Sequence, residues 1–292
     1  MRRSLILAAF GLTLLAAHGP AHADGHAMQF FGSGVGGIDR VKVPLVDDQG
    51  AATPINVGGD FTLECWLKCN LEDNAGRVAA EADGWITGNI IFDRDVYYAG
   101  DYGDWGISLG DGRLAFGLAV GSSGATIVGR TVIADGQWHH VAVTREGSSG
   151  NMCIYIDGKL DAQGRGPAGD ASYRAGRPTQ WPNSDPYLVI GAEKHDAGRD
   201  QWPSYHGLLD EVRLSNVIRY AQDFDPPRQP FSADDHTVLL LHLDEGEGNV
   251  ATNAVAAGPN GAIHRGGDPV GPVWVSDTPF GCGDHSQPSS PP

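Results

Sequence analysis

The sequence has no apolar stretch long enough to cross a membrane. Its longest candidate, Leu5 to Ala17, falls short of the ~20 residues a spanning helix needs. Basic residues are scarce too: 20 Lys and Arg stand against 36 Asp and Glu, a formal charge of −16. A surface of that sign repels phosphate backbones and excludes nucleic acid as a partner. Uninterrupted helical periods are few, while 42 Gly and 18 Pro favour many short strands joined by turns. Cysteines number only four, Cys65, Cys69, Cys153 and Cys282. On one extended strand Cys65 and Cys69 would stand about 13 Å apart, beyond disulfide reach. They are not expected to pair with each other, and the four are read either as partners in other disulfides or as buried thiols.

The chain opens with Met1-Arg2-Arg3, the short apolar run, and Ala21-His22-Ala23. A charged start, an apolar middle and a small-x-small site have the form of a signal peptide. Residues 1–23 are therefore expected to be removed, with the mature chain secreted or periplasmic and, without Arg2 and Arg3, at a charge of −18. Residues 24–281 are expected to form one all-β domain. The Ser/Pro-rich end, 282–292, holds too little apolar surface to order itself.

The strand pattern is clearest in two places. Phe61 to Lys68 alternates Phe61, Leu63, Cys65 and Leu67 on one side, as a strand with one core face does. From Asp135 to Lys159 the chain reads as a β-hairpin. His139, Val141, Val143 and Arg145 share one face, and Trp138, His140, Ala142 and Thr144 share the other. Glu146 to Asn151 makes its turn, and Asp157-Gly158 supplies the positive φ of the next. Gly110-Asp111-Gly112 joins Trp105–Leu109 to Arg113–Leu118 in the same way. Ser215 to Tyr220 is expected to make one helical turn.

Trp138-His139-His140-Val141-Ala142-Val143, Tyr155-Ile156-Asp157-Gly158, Phe61-Thr62-Leu63-Glu64-Cys65-Trp66 and Leu209-Asp210-Glu211-Val212-Arg213-Leu214 are segments found in laminin G-like domains. Phe30-Phe31-Gly32 with Val41-Lys42-Val43 precedes them, and all five stand in the family's order along the chain. The chain thus resembles the laminin G-like members of the concanavalin A-like jelly-roll superfamily. That resemblance implies a two-sheet antiparallel β-sandwich, and a structural Ca2+ held by Asp210 with the backbone carbonyl of Gly32. The alternative for Asp210 is a carboxylate that accepts backbone N–H bonds from a neighbouring loop. Leu239 to Gly248 and Asn260-Gly261 match a strand pair that often opens such domains; here they are expected to complete the same sandwich.

The catalytic patterns in the chain are incomplete. Related glucanases carry a Glu-x-Asp-x-x-Glu strand, but Glu81-Ala82-Asp83-Gly84-Trp85-Ile86 ends in Ile and lacks the second carboxylate that hydrolysis requires. Gly106-Ile107-Ser108-Leu109-Gly110 has the letters of a nucleophile elbow without the helix that must follow. His139 and His140 point opposite ways on a strand, and His195, His206, His236 and His264 lack zinc spacing. What remains is recognition. Asp93, Asp95, Tyr97, Tyr98, Asp101, Tyr102, Asp104 and Trp105 form an acidic aromatic cluster, with Trp181 and Trp202 in other loops. Trp105 can equally belong to the core. Aromatic faces pack on sugar C–H groups while carboxylates accept from hydroxyls. Trp181, Trp202, Asp101, Tyr102 and Asp104 are thus the candidate ligand-binding residues of a non-catalytic module for a glycan or an extracellular protein. Its rivals are a hydrolase or lyase acting on polysaccharide through a nonstandard site, and a structural envelope or matrix protein.

Overall fold

A computed structural model describes residues 25–79, 81–96, 103–174, 184–196 and 201–281. Two antiparallel sheets of eight strands each face one another, the β-sandwich that the strand alternation and the family resemblance imply. The front sheet runs, in spatial order, Lys159–Arg165, Asn151–Ile156, His139–Arg145, Phe61–Lys68, His206–Ser215, Ala27–Phe31 and Val273–Val275, with Thr237–Leu241 beside the far half of His206–Ser215. The back sheet runs Val250–Ala251, Gly261–His264, Arg40–Pro44, Tyr187–Ile190, Asn89–Asp93, Asp104–Gly110, Arg113–Val120 and Ser123–Val128. Strands late in the chain therefore pair with the earliest in both sheets: Trp274 lies opposite Met28, and Ile263 opposite Val41. Among the described residues the one helical element is a short 3-10 turn, Gly84–Thr87, and no helix is long and apolar enough to cross a membrane.

The core fills the space between the sheets. Phe61, Leu63, Cys65 and Leu67 point inward from the front sheet, all buried, as their alternation predicts. From the back sheet Trp105, Ile107 and Leu109 meet them, and Phe61 lies against Trp105 and Phe116 at ring distances of 5.3 and 6.0 Å. Trp105 is completely buried, so the core reading of that residue is the right one. The two-residue turns form where Asp-Gly pairs stand: Asp111 and Gly112 take φ of 49° and 75°, and Asp157 and Gly158 take 48° and 75°. Positive φ at both central residues matches the twist of the flanking strands. Cys65, Cys69 and Cys153 are free thiols, and no disulfide occurs among the described residues; Cys282 lies outside them.

Ser215 to Tyr220 makes no helical turn. After Ser215 the chain bends away from the strand, and Thr62 holds it there: its hydroxyl donates to the Val217 carbonyl at 2.7 Å and accepts from the Arg219 amide at 2.9 Å. A side chain that supplies both partners removes the need for local backbone pairing. The segment that follows folds over the outer face of the front sheet, where Tyr220 and Phe224 stack at 3.6 Å and His140 sits between Phe224 and Phe231.

Candidate functional site

The outer face of the back sheet carries a second, smaller apolar cluster. Trp85, on the 3-10 turn, lies flat across Gly106 and Gly117 of two adjacent strands, where a methyl group at either glycine would overlap the indole. Ile90 and Ala115 complete the cluster, with Ile86 and the half-buried Trp202 packed beside them. Trp202 is fixed there by the backbone that follows it: the Ile90 amide donates to the Pro203 carbonyl at 2.8 Å and the Tyr205 amide to the Ile90 carbonyl at 3.1 Å.

Next to this cluster the ends of two neighbouring strands meet. Asn89–Asp93 and Tyr187–Ile190 pair with Val189 opposite Asp93, and a bulge between Ile90 and Phe92 shifts the register against Asp104–Gly110. Beyond the strand ends lie Asp93 and Asp95 on one side and Glu193 and His195 on the other. Each pair is spaced by two residues. Asp93 accepts from the Asp95 amide at 2.9 Å and from the Lys194 amide at 3.0 Å. Glu193 accepts from the His195 amide at 2.7 Å, and its own amide donates to the Ser204 hydroxyl at 3.1 Å. His195 Nε2 stands 2.8 Å from a carboxylate oxygen of the buried Asp185, and Nδ1 stands 3.2 Å from Glu193 and 3.8 Å from Asp95.

Asp93, Glu193, Lys194 and His195 are buried and Asp95 and Asp104 half-buried, and their proton affinities respond to it. Burial raises Asp93; burial and the charge of Asp93 push Asp95 up to about 6; burial and Asp95 push Asp104 up to about 7. Burial opposes the charge on His195, but hydrogen bonds to Asp185 and Glu193 outweigh it and lift the imidazole to about 9. The buried Lys194 ammonium, lowered by desolvation, donates to the carbonyls of Asp185 and Tyr187 at 3.2 Å each. Asp93, Asp95, Glu193 and His195, together with Ile86, Ile90 and Trp202, line a cavity of about 40 Å³. One wall is apolar and aromatic, the other acidic.

The candidate residues read from sequence divide accordingly. Trp202 lines the cavity. Asp104 lies on the next strand, feels the charge of Asp95, and accepts from the Val96 amide at 3.0 Å. Trp181, Asp101 and Tyr102 lie outside the described residues. Asp93 and Asp95 are legible in the sequence as members of an acidic cluster, whereas Glu193 stands in no motif and His195 lacks zinc spacing. The available signal was the Glu193-x-His195 spacing immediately after the apolar strand Tyr187–Ile190. Two-residue spacing puts both side chains on one face, though only register shows what they face.

Asp210 is buried, and its carboxyl is pushed up to about 9 by desolvation and by the neighbouring Glu211 and Asp244. It accepts the amide of Glu211 at 2.8 Å. The structure separates it from Gly32. Met28 pairs with Leu209 and Phe31 with His206, so Asp210 sits at the start of the Ala27–Phe31 strand, whereas Gly32 follows its end and faces Ser204 and Tyr205. About five residues of antiparallel ladder, roughly 17 Å, keep the Gly32 carbonyl from sharing an ion with Asp210. The register sets Asp210 opposite Ala27, and next to Ala27 the His26 amide donates to Asp244 at 2.8 Å.

Residues 46–223 match the family model of the concanavalin A-like lectin/glucanases superfamily, in its laminin G branch. The chain belongs to that family. Within this superfamily the chain is 31% identical over 126 residues to the basement membrane-specific heparan sulfate proteoglycan core protein of mouse, across 42% of this chain and 3% of that one. The chain thus spans a small fraction of that relative. Among solved structures, one of a Bacteroides ovatus protein provisionally assigned to carbohydrate binding superposes with a TM-score of 0.50 at 19% identity, over 82% of this chain and 58% of that one. Domains LG4-5 of mouse laminin alpha1 superpose with a TM-score of 0.42 at 15% identity, over 84% and 56%. The superfamily supplies the sandwich; the outer-face site is argued from this chain's own side chains.

Proposed function

We propose that this protein is a secreted or periplasmic, non-catalytic binding module that recognises a glycan at the outer-face cavity. The observation that carries this is the juxtaposition of Trp202 with Asp93, Asp95, Glu193 and His195 around one cavity. An indole face packs against sugar C–H groups, and oriented carboxylates accept from hydroxyls at fixed positions. Family membership and the Bacteroides ovatus likeness support the same reading. No pair of carboxylates completes the glucanase pattern, which supports binding over hydrolysis. A glycan array probed with the wild-type protein and with Trp202→Ala tests it. Signal on one glycan class that falls by ~30-fold or more in the variant, the loss of one aromatic hot spot, is the expected result. Turnover of a polysaccharide, abolished by a single carboxylate substitution, would replace the binding reading with an enzymatic one.

A structural Ca2+ at Asp210 belongs to the same proposal. Asp210, Glu211 and Asp244 bring three carboxylates into mutual influence, and a hard dication accepts carboxylate and backbone carbonyl oxygens together. Asp210 and Asp244, with backbone carbonyls of the adjoining first strand in place of Gly32, would hold the ion. Bound there, Ca2+ would supply charge compensation at a sheet junction.

A further inference from the structure

The geometry points to a binding site for a first-row transition-metal dication, of the Zn2+ or Mn2+ kind, formed by Asp93, Glu193 and His195, with Asp95 beside the imidazole. Ligating atoms of Asp93, Glu193 and His195 all lie within 4.8 Å of one another, and no other trio of His, Cys, Asp or Glu gathers this way among the described residues. At metal–ligand bonds of about 2.0–2.2 Å, donors around a tetrahedral ion stand about 3.4 Å apart. The 3.2 Å from His195 Nδ1 to Glu193 lies close to that value.

The imidazole is held from behind. Asp185, fully buried, stands 2.8 Å from Nε2; a dication would displace the Nδ1 proton that faces Glu193, while Nε2 keeps its proton toward Asp185. A carboxylate behind a histidine fixes the tautomer and ring orientation at metal sites, and raises the basicity of the ligating nitrogen. Nearby cations have partners of their own. Arg40 is paired with Asp196 at 2.7 Å, Arg94 donates to the carbonyls of Gly103 and Ala171, and Lys194 reaches backbone oxygens. Asp93, Asp95, Glu193 and Asp185 gather four carboxylates about one imidazole; Lys194 and Arg40 offset part of that charge, and the acids still outnumber the cations, which favours a dication.

The donor set decides the ion. One imidazole nitrogen among carboxylate oxygens suits Zn2+ and Mn2+, whereas Ca2+ and Mg2+ favour oxygen alone. The adjoining cavity, about 40 Å³, leaves room for a water or a ligand hydroxyl at an open position. This site is distinct from Asp210. It also stands apart from the glycan reading, because the ion is titrated with no sugar present.

The test is calorimetric titration of chelator-stripped full-length protein with ZnCl2, MnCl2, CaCl2 and MgCl2, together with loss of the six-line electron paramagnetic resonance signal of free Mn2+. One equivalent of Zn2+ or Mn2+ is expected to bind, with Zn2+ displacing Mn2+. His195→Ala and Asp93→Asn should weaken it by 100-fold or more, and Asp210→Asn should leave it unchanged. Because His195→Ala removes a buried group, Glu193→Gln, which keeps shape and volume, carries the test independently and should weaken binding at least 10-fold. Binding of Ca2+ by the Asp210→Asn variant as tight as that of Zn2+ and Mn2+, no binding of either transition ion, or full binding by Glu193→Gln would overturn the site.

Discussion

Arg213 donates to one carboxylate oxygen of Glu64 twice, from Nε at 2.9 Å and from Nη2 at 2.8 Å, across 149 residues of sequence. The other oxygen accepts from the Tyr220 hydroxyl at 2.7 Å and faces His140 Nε2 at 3.1 Å. Burial alone would raise the Glu64 carboxyl, but the His140 hydrogen bond and the charge of Arg213 hold it below its ordinary value. The guanidinium is also stacked on Phe231 at 4.2 Å. This network joins strand, hairpin and the covering segment of the front sheet.

Removing one member leaves the others buried and uncompensated. Glu64→Ala is expected to cost about 3–5 kcal/mol in urea denaturation, and Glu64→Leu with Arg213→Met should recover most of it. A double variant as unstable as the single would show that packing, not charge, governs the site.

His139 predicts a change of stability near neutral pH. Its imidazole is raised by the hydrogen bond to Asp157 at 2.7 Å and by Asp135, against opposing desolvation. A raised histidine contributes stability that is complete below the unfolded value of about 6.5 and is lost as pH rises through the folded value. His139→Gln should therefore be less stable than wild type at about pH 6, with the gap closing by about pH 9. Equal gaps at both values would refute the linkage.

Trp85 should hold the outer-face site in place. Trp85→Ala opens a cavity over Gly106 and Gly117 and is expected to cost about 3–5 kcal/mol. Gly117→Ala, which drives a methyl into the indole, should cost about 1–3 kcal/mol by overpacking and weaken glycan binding through displacement of Ile86. Trp fluorescence and thermal melts read the packing directly.

Asp210 gives an effect whose sign depends on calcium. Its carboxyl, pushed up to about 9 chiefly by burial, contributes stability that is complete below the unfolded value of about 3.9 and lost as pH rises toward about 9. An amide in place of this carboxyl mimics its neutral form, so Asp210→Asn in chelator at pH 7 should melt above wild type. In excess Ca2+ the order should reverse, because only the carboxylate gains from the ion by mass action. Wild-type melts that ignore both chelator and Ca2+ would remove the ion from Asp210.

The sequence by itself determined the two-layer, all-β architecture. Which face of a strand is apolar is a local property of period two, so Phe61, Leu63, Cys65 and Leu67 declare their inward side without knowledge of a partner. The turns at Asp111-Gly112 and Asp157-Gly158 are local for the same reason, being set by positive φ at two adjacent residues. Partner choice and register are not local. Asp93 and Asp95 meet Glu193 and His195 because Val189 pairs with Asp93 and the bulge at Ile90–Phe92 sets the alignment. Gly32 parts from Asp210 because their strands run antiparallel from His206. Contacts between segments a hundred residues apart depend on how both sheets close around a shared core, and only the tertiary structure decides that.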